Sequence, residues 1–349
     1  MTTSVVGIDI GNSSVRAVEV GDPGKARPTV LRYFEVPLPD GSVSSGEVLE
    51  PNTVATALRH LWSAGGFKSR KVVLGVGNQR VLARDLTVPK MSQARIRQSL
   101  PFEVQDMLPV PVADAVLDFY PIAEIAGEHG PMVRGLLLAA VKEAVLGNVR
   151  ATQLAGLTAI DVDMIPFALS RVLLSRPGVA GTVALIDIGG STTSVVIATD
   201  GVPQFVRIIA TGGNDITQAL LSALGSETED PELLKRRLGL ATGHVAPDDK
   251  TAVEVIYGIA REQLSSLRNT INYFVNTRPV DPVTRIVLSG GGAQLAGLPG
   301  ALADLTRLSV SIGDPFSSVA LGRNIDADEI RRHSAALTVA LGLALGRAA

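Results

Sequence analysis

Two short segments carry an aspartate near the end of an apolar run and, two residues on, a glycine-led turn. The first is Val5-Val6-Gly7-Ile8-Asp9-Ile10-Gly11-Asn12-Ser13-Ser14, and the second is Ala184-Leu185-Ile186-Asp187-Ile188-Gly189-Gly190-Ser191-Thr192. Bare glycine backbone can approach a phosphate, and the N–H and hydroxyl groups of such a turn can donate to its oxygens. A strand-end carboxylate beside the turn suits hydrated Mg2+, which takes one or two carboxylates plus substrate phosphates. Asp9 and Asp187 are those carboxylates. A third cluster, Ser289-Gly290-Gly291-Gly292-Ala293-Gln294, lies between a strand-like run and a helical one, where a nucleoside can lie flat on backbone. One such hairpin is an ordinary turn. Two in the same register, with the glycine crossing behind them, point to a nucleoside triphosphate. GxxxxGK[ST] and GxGxxG are both absent, which excludes a P-loop and a Rossmann fingerprint.

Positioning these turns requires paired strands. Alternation and turn residues predict strands over 4–10, 15–20, 29–36 and 72–76, a polar loop over 37–48, and a helix over 53–64 capped by Asn52. From Arg80 to Leu157 the order becomes strand 81–88, helix 92–107 kinked at Pro101, strands 115–121 and 133–141, and helix 142–155. This block reads as an inserted subdomain. The opening pattern then returns, strand 182–188 and strand 193–198 around the second turn, with the two D-I-G triplets 178 positions apart. Such a repeat implies a duplicated α/β domain. A strand over 204–209, helices near 215–224, 231–238 and 248–276, a strand over 285–288 and a closing helix over 334–345 complete the second half. The resulting division is 1–79, insertion 80–157, connection 158–180, and second lobe 181–349, with a helical part over about 215–280 and the closing helix 334–345 expected to pack back toward the first lobe.

Composition narrows the function. Glycine supplies 35 of 349 residues, against about 24 at the usual roughly 7%. The excess gathers at Gly7, Gly11, Gly189, Gly190, Gly212, Gly213, Gly290, Gly291, Gly292 and Gly297, which assigns it to one cleft. Net charge is −2, so no basic excess marks nucleic acid or anionic lipid as a partner. Cysteine is absent and histidine numbers four, which excludes disulfides, thiolate catalysis and a zinc site built on cysteine. The start MTTSVVGIDI lacks a signal-peptide pattern, and the apolar stretch 335–345 is too short to span a bilayer. A soluble cytoplasmic protein is expected.

At these residues the sequence resembles the actin/FtsA/sugar-kinase ATPase superfamily. VVGIDIGNSSVRAVEV is similar to its first phosphate motif, ALIDIGGSTTSVVIA to its second, and VLSGGGAQLAGLPGAL to its adenosine motif. Over essentially the whole chain, with YFEVPLPDGSVSSGEV, the stretch from LTVPKMSQ to LDFYPI, and IDVDMIPFALSRVL in support, it resembles the PilM family of type IV pilus assembly. The resemblance implies duplicated actin-like, ribonuclease H-like domains around a nucleotide cleft, with an inserted subdomain of the type called 1C in FtsA and PilM. It implies ATP or ADP with Mg2+, Asp9 and Asp187 facing the metal. Gly11, Asn12, Ser13, Ser14, Gly189, Gly190, Ser191 and Thr192 would meet phosphates. Arg16 stands where relatives often carry a phosphate-binding lysine, keeping the charge but offering a fork rather than a point. Gly213 and Asn214 would lie near the ribose, Glu232 on the ribose, Lys235 over adenine, and Gly290, Gly291, Gly292 and Gln294 along the nucleoside.

One departure bears on catalysis. Many relatives place Glu or Gln just before the proline of the connecting segment, to orient water. Here Ile165 precedes Pro166, and isoleucine can neither accept a proton nor position water. Asp163, two residues back on an expected strand, is the one candidate substitute. The expectation is nucleotide binding with slow hydrolysis or none. The resemblance further implies docking of the N-terminal cytoplasmic peptide of a PilN-like bitopic inner-membrane protein between subdomains 1A and 1C. Other assembly-platform proteins and self-association are also implied. The ending Arg347-Ala348-Ala349 carries no amphipathic anchor like that closing FtsA, so membrane recruitment would come through a partner. The alternatives are an FtsA-like division protein, a small-metabolite kinase of the same superfamily, and a scaffold that binds no nucleotide.

Overall fold

The structure, a computed structural model, describes residues 3–225, 229–240, 245–278 and 281–346, so the ending at 347–349 lies outside the described residues. β1 (Ser4–Ile10) and β2 (Ser14–Gly21) form an antiparallel hairpin, and β3 (Thr29–Pro37) adds antiparallel to β2. The expected loop 37–48 contains a minimal hairpin, β4 (Val43–Ser44) with β5 (Glu47–Val48). α1 (Pro51–Gly65) leads to β6 (Lys71–Val76), parallel to β1. Glu50, not Asn52, occupies the N-cap of α1, because Pro51 starts the helix where its missing N–H is harmless.

β7 (Val81–Pro89), α2 (Gln93–Glu103), β8 (Ala115–Gly127), β9 (Gly130–Val141) and α3 (Lys142–Leu154) follow. β10 (Thr158–Met164) then pairs parallel to β6. α4 (Ile165–Ser170), prolonged by a π-helical turn over Arg171–Ser175, crosses to the second half. There β11 (Thr182–Ile188), β12 (Thr193–Thr199) and β13 (Val202–Ile209) run antiparallel in turn. α5 (Gly213–Leu224), α6 (Pro231–Leu238) and α7 (Lys250–Thr277) precede β14 (Arg285–Ser289), parallel to β11. α8 (Leu298–Thr306) leads to β15 (Ser309–Ile312), parallel to β14. β16 (Ala320–Leu321), α9 (Ala327–Arg332) and α10 (Ser334–Ala344) complete the described chain.

The first sheet has the order β10-β6-β1-β2-β3-β16 and the second β13-β12-β11-β14-β15. Apart from β16, every pairing in one has a counterpart of the same sense in the other. The repeat read in two turns therefore extends to two whole sheets. In that correspondence α3 is the crossover helix into β10, as α8 is into β15. Ala151, Ala155 and Leu157, within or just after α3, are buried with Val54 and Leu58 of α1 in the core of the first lobe.

Between β6 and α3 lies a separate three-stranded sheet, β7-β9-β8, whose core is Val88, Ile96, Leu100, Val104, Phe119, Val133 and Leu137. α2 runs past Pro101 and ends at Glu103, earlier than the expected 107, where Val104 (φ −121°, ψ 13°) leaves the helical conformation; a 3-10 turn covers Gln105–Met107. β8 and β9 extend well past the expected 121 and 133 into a long exposed hairpin, and the register shifts between Pro121 and Ala123. That shift accommodates a proline that cannot donate to the ladder.

This small sheet also touches the second lobe. Gln204 on β13 accepts from Arg134 Nη2 on β9 and from Arg278 Nη1, both at 3.2 Å. Arg278, just past α7, pairs with Asp85 Oδ1 on β7 at 2.5 Å and lies 5.5 Å over the Phe274 ring. α10 is buried nearly all round and packs on β1, β2, β6 and α4. A Cβ on Gly7 would sit 2.0 Å from Ala340 O. Gly7 is thus required by helix packing, and the expectation that it serves the cleft is corrected.

Candidate nucleotide cleft

The two repeated hairpins close in the same way. Gly11 N–H donates to Ser14 O and Gly189 N–H to Thr192 O, each at 2.9 Å. In register, Asp9 stands opposite Arg16 and Asp187 opposite Ser194. Both aspartates are 8% exposed. Burial raises the Asp9 carboxyl above its ordinary value, with Arg16 pulling it down. Burial also drives Asp187 up to about 6, against a hydrogen bond with Ser289, while the negative charge of Asp9 adds to the shift and Arg16 opposes it. The two carboxylates therefore act on each other across the meeting of the lobes. Among the described residues no group of three or more His, Asp or Glu could cage a metal by itself. Two carboxylates beside glycine turns are a donor set that Mg2+ can use together with phosphate oxygens.

Arg16 Nη1 lies 3.2 Å from Asp9 Oδ2, and Nε donates to Glu35 Oε1 at 2.9 Å. Ser14 Oγ donates to the same Glu35 oxygen at 2.6 Å, so its hydroxyl is engaged within the first lobe. Burial raises the Glu35 pKa, but Arg16 and Ser14 outweigh it and hold the carboxyl below its ordinary value. Asn12 Oδ1 accepts from Gly46 N–H at 3.1 Å, tying the β4–β5 hairpin to the first turn. Ser13 is exposed, and Ser191 and Thr192 are partly so.

The second turn is wired to the start of α5. Gly213 N–H donates to Gly189 O at 2.9 Å and Asn214 N–H to Gly190 O at 2.7 Å. Thr193 Oγ1 donates to Thr211 O at 2.7 Å. Lys235 Nζ reaches Gly213 O at 3.1 Å, Thr217 Oγ1 at 2.9 Å and Glu232 Oε2 at 2.5 Å. Burial works against ionised Glu232, yet bonds from Lys235, Arg236 and Thr217 keep its pKa below the ordinary value. Gly290, at φ +86°, passes so close to Ile188 that a Cβ would lie 2.3 Å from Ile188 O. Only glycine allows that crossing. A Cβ on Gly213 would be 3.5 Å from Gly292 Cα. Beside Gly290, a cavity of about 300 Å³ is lined by Ser289, Ala293, Gln294, Gly297, Ile312 and Ser334.

Gly189, Gly190, Gly213, Asn214, Lys235 and Gly290–Gly292 are thus in one neighbourhood, with Asp9 and Arg16 facing it from the first lobe. Asp163 has a different setting. Arg171 Nη2 holds Asp163 Oδ2 at 2.8 Å, and Arg171 Nη1 donates to Gly342 O at 2.8 Å. Burial raises the Asp163 carboxyl, against the Arg171 charge. Ile165 is not on the strand with Asp163 but is the first residue of α4, since Pro166 begins that helix; its side chain packs at Gly75 and Gly77. Glu35 and Thr217 escaped sequence reading, as did the bond of Ser289 to Asp187. Only the β2–β3 register, which sets Arg16 opposite Glu35, could have exposed the first of them.

Similarity to characterised proteins agrees with this architecture. The chain is 23% identical to cell division protein FtsA of Bacillus subtilis, over 89% of this chain and 78% of that one. It is 22% identical to FtsA of Pseudomonas aeruginosa, over 90% and 83%. The solved PilM-PilN type IV pilus biogenesis complex superposes with a TM-score of 0.83 at 26% identity, covering all of both chains. MreB5 of Spiroplasma citri bound to ADP shares the fold at a TM-score of 0.52 and 12% identity, over 98% and 95%. Among the described residues no helix is long and apolar enough to cross a membrane. The family described as "Type IV pilus assembly protein PilM" matches residues 7–348. With paired actin-like lobes, an inserted three-stranded sheet and that full-length match, the chain belongs to the PilM family of type IV pilus assembly proteins.

Proposed function

We propose that the chain is a cytoplasmic nucleotide-binding scaffold of the pilus machine. It takes ATP or ADP with Mg2+, and the nucleotide stabilises a state that docks the N-terminal cytoplasmic peptide of a PilN-like inner-membrane protein. The observation that supports this reading is that two glycine turns of the same build each lie beside a buried aspartate, and that those two aspartates are close enough to act on each other. Asp9 and Asp187 would hold the ion. Gly11, Asn12, Ser13, Gly189, Gly190, Ser191 and Thr192 would face phosphates, and Ser14 would act through the backbone of its turn. Gly213, Asn214, Glu232 and Lys235 would meet the ribose side, with Gly290–Gly292 and Gln294 along the base. Mg2+, when bound, supplies neutralisation of phosphate charge. Hydrolysis is weak or absent, because Ile165 offers no base and Asp163 is engaged by Arg171.

Full-length likeness to the chain of a PilM-PilN complex supports the partner. Recruitment to the membrane would come through it, with other platform proteins and further copies of the chain as additional contacts. Titration calorimetry with ATP and Mg2+ tests the core. Saturable binding by wild type, weakened at least about tenfold in Asp9→Ala, is expected; no binding by wild type overturns the reading. Similarity to FtsA along most of the chain favours a second reading, a filament-forming division protein. Nucleotide-dependent filaments without peptide docking would put that reading in its place.

A further inference from the structure

The first phosphate turn contains an arrangement that its counterpart lacks. Opposite Asp187 stands Ser194, an uncharged residue, whereas opposite Asp9 stands a guanidinium fixed from two sides. Glu35 takes Nε of Arg16, Asp9 takes Nη1, and no hydrogen bond joins Nη2 to a described residue. The guanidinium also lies against the turn itself, since a Cβ on Gly11 would be 3.3 Å from Arg16 Nη1. Its side chain is 20% exposed, so this is a mostly buried cation with donors still available beside a phosphate-sized turn. A planar fork can keep both carboxylate bonds while offering its remaining N–H groups to an anion.

We propose that Glu35 is the positioning residue for Arg16, and that the clamped guanidinium serves as a resident cation that lets the cleft accept nucleotide with little dependence on Mg2+. The inference rests on the nucleotide reading above. Without Glu35, Arg16 is held only by Asp9 and can swing away from the turn, which withdraws its charge from the place an anion would occupy. Ser14 and Arg16 Nε donate to the same Glu35 oxygen, so the amide oxygen of Glu35→Gln can still accept from both but lacks the charge that holds the guanidinium, which weakens the clamp while keeping the size and the hydroxyl bond.

The test is the affinity for a fluorescent mant-ATP, measured with excess Mg2+ and again with EDTA, in wild type, Arg16→Ala, Glu35→Gln and the double variant. Thermal unfolding of each protein controls for folding. Wild type should bind within about tenfold under the two conditions. In Arg16→Ala that ratio should widen by about another tenfold, the scale of one lost charge-assisted contact. Glu35→Gln should widen it several-fold and add nothing further to Arg16→Ala. Equal losses with and without Mg2+, or full additivity of the two substitutions, would overturn the clamp while leaving nucleotide binding intact. Absence of binding by wild type in both conditions would instead overturn the nucleotide reading, and the clamp with it.

Discussion

Asp187, proposed above as a ligand of Mg2+, illustrates how a buried carboxylate weighs on the stability of the protein. Its pKa lies near 6, against an ordinary 3.8, chiefly through burial. The folded chain therefore holds this proton more tightly than the unfolded chain. Its contribution to stability is greatest below about pH 4, declines as pH rises to about 6, and is level above that, a span of at most about 3 kcal/mol. Asp187→Asn should accordingly raise the thermal midpoint of the nucleotide-free protein at pH 7, by about 1–2 kcal/mol of stability, and flatten the profile between pH 4 and 6. The same variant should lose the Mg2+-dependent part of stabilisation by nucleotide. Thermal unfolding across pH, with and without ATP and Mg2+, checks both. Asp9 and Asp187 were legible in sequence because each lies next to its own turn. Glu35 was not, since its link to Arg16 crosses between strands and needs their register.

At the level of elements, the insertion is narrower than its sequence texture. The stretch 80–157 reads as one block because its hydrophobicity and turn spacing differ from what surrounds it. Texture cannot say which core a helix joins, and α3 joins that of the first lobe. Removing 80–157 should therefore give insoluble protein. Val81 and Ala140 are register partners across β7 and β9, so their backbones are roughly 5 Å apart. Replacing 82–139 by a short Gly-Ser linker should keep nucleotide-dependent thermal stabilisation and lose binding of the PilN-like peptide. Retained peptide affinity would move the docking surface elsewhere. The β8–β9 extension was invisible for a different reason. Its residues are exposed on both faces, so no alternation marks them.

In the whole molecule, matched sheets made the fold readable from two turns, and the closing helix was expected against the first lobe where α10 packs, whereas side-chain contacts between other distant parts were not readable. The Asp85–Arg278–Gln204–Arg134 cluster joins the inserted sheet to the second lobe through residues with no motif and wide sequence separation. Arg278→Ala should destabilise the protein by about 1–3 kcal/mol, measured by denaturant unfolding, because it strips partly buried charge-assisted bonds and a ring contact together. Arg278→Lys should recover only part of this, lacking the fork that serves Gln204 and Asp85 at once. The position of α10 bears on how such a chain reaches its final state. β1, β2 and β6 leave the ribosome early, while the helix that covers them is made near the other end of the sequence. Val5, Val18, Val20 and Val73 share their core with Leu337, Ala340, Leu341 and Leu343. The lobe synthesised first is therefore the one completed last, and during translation its apolar face is open to chaperones and to aggregation alike.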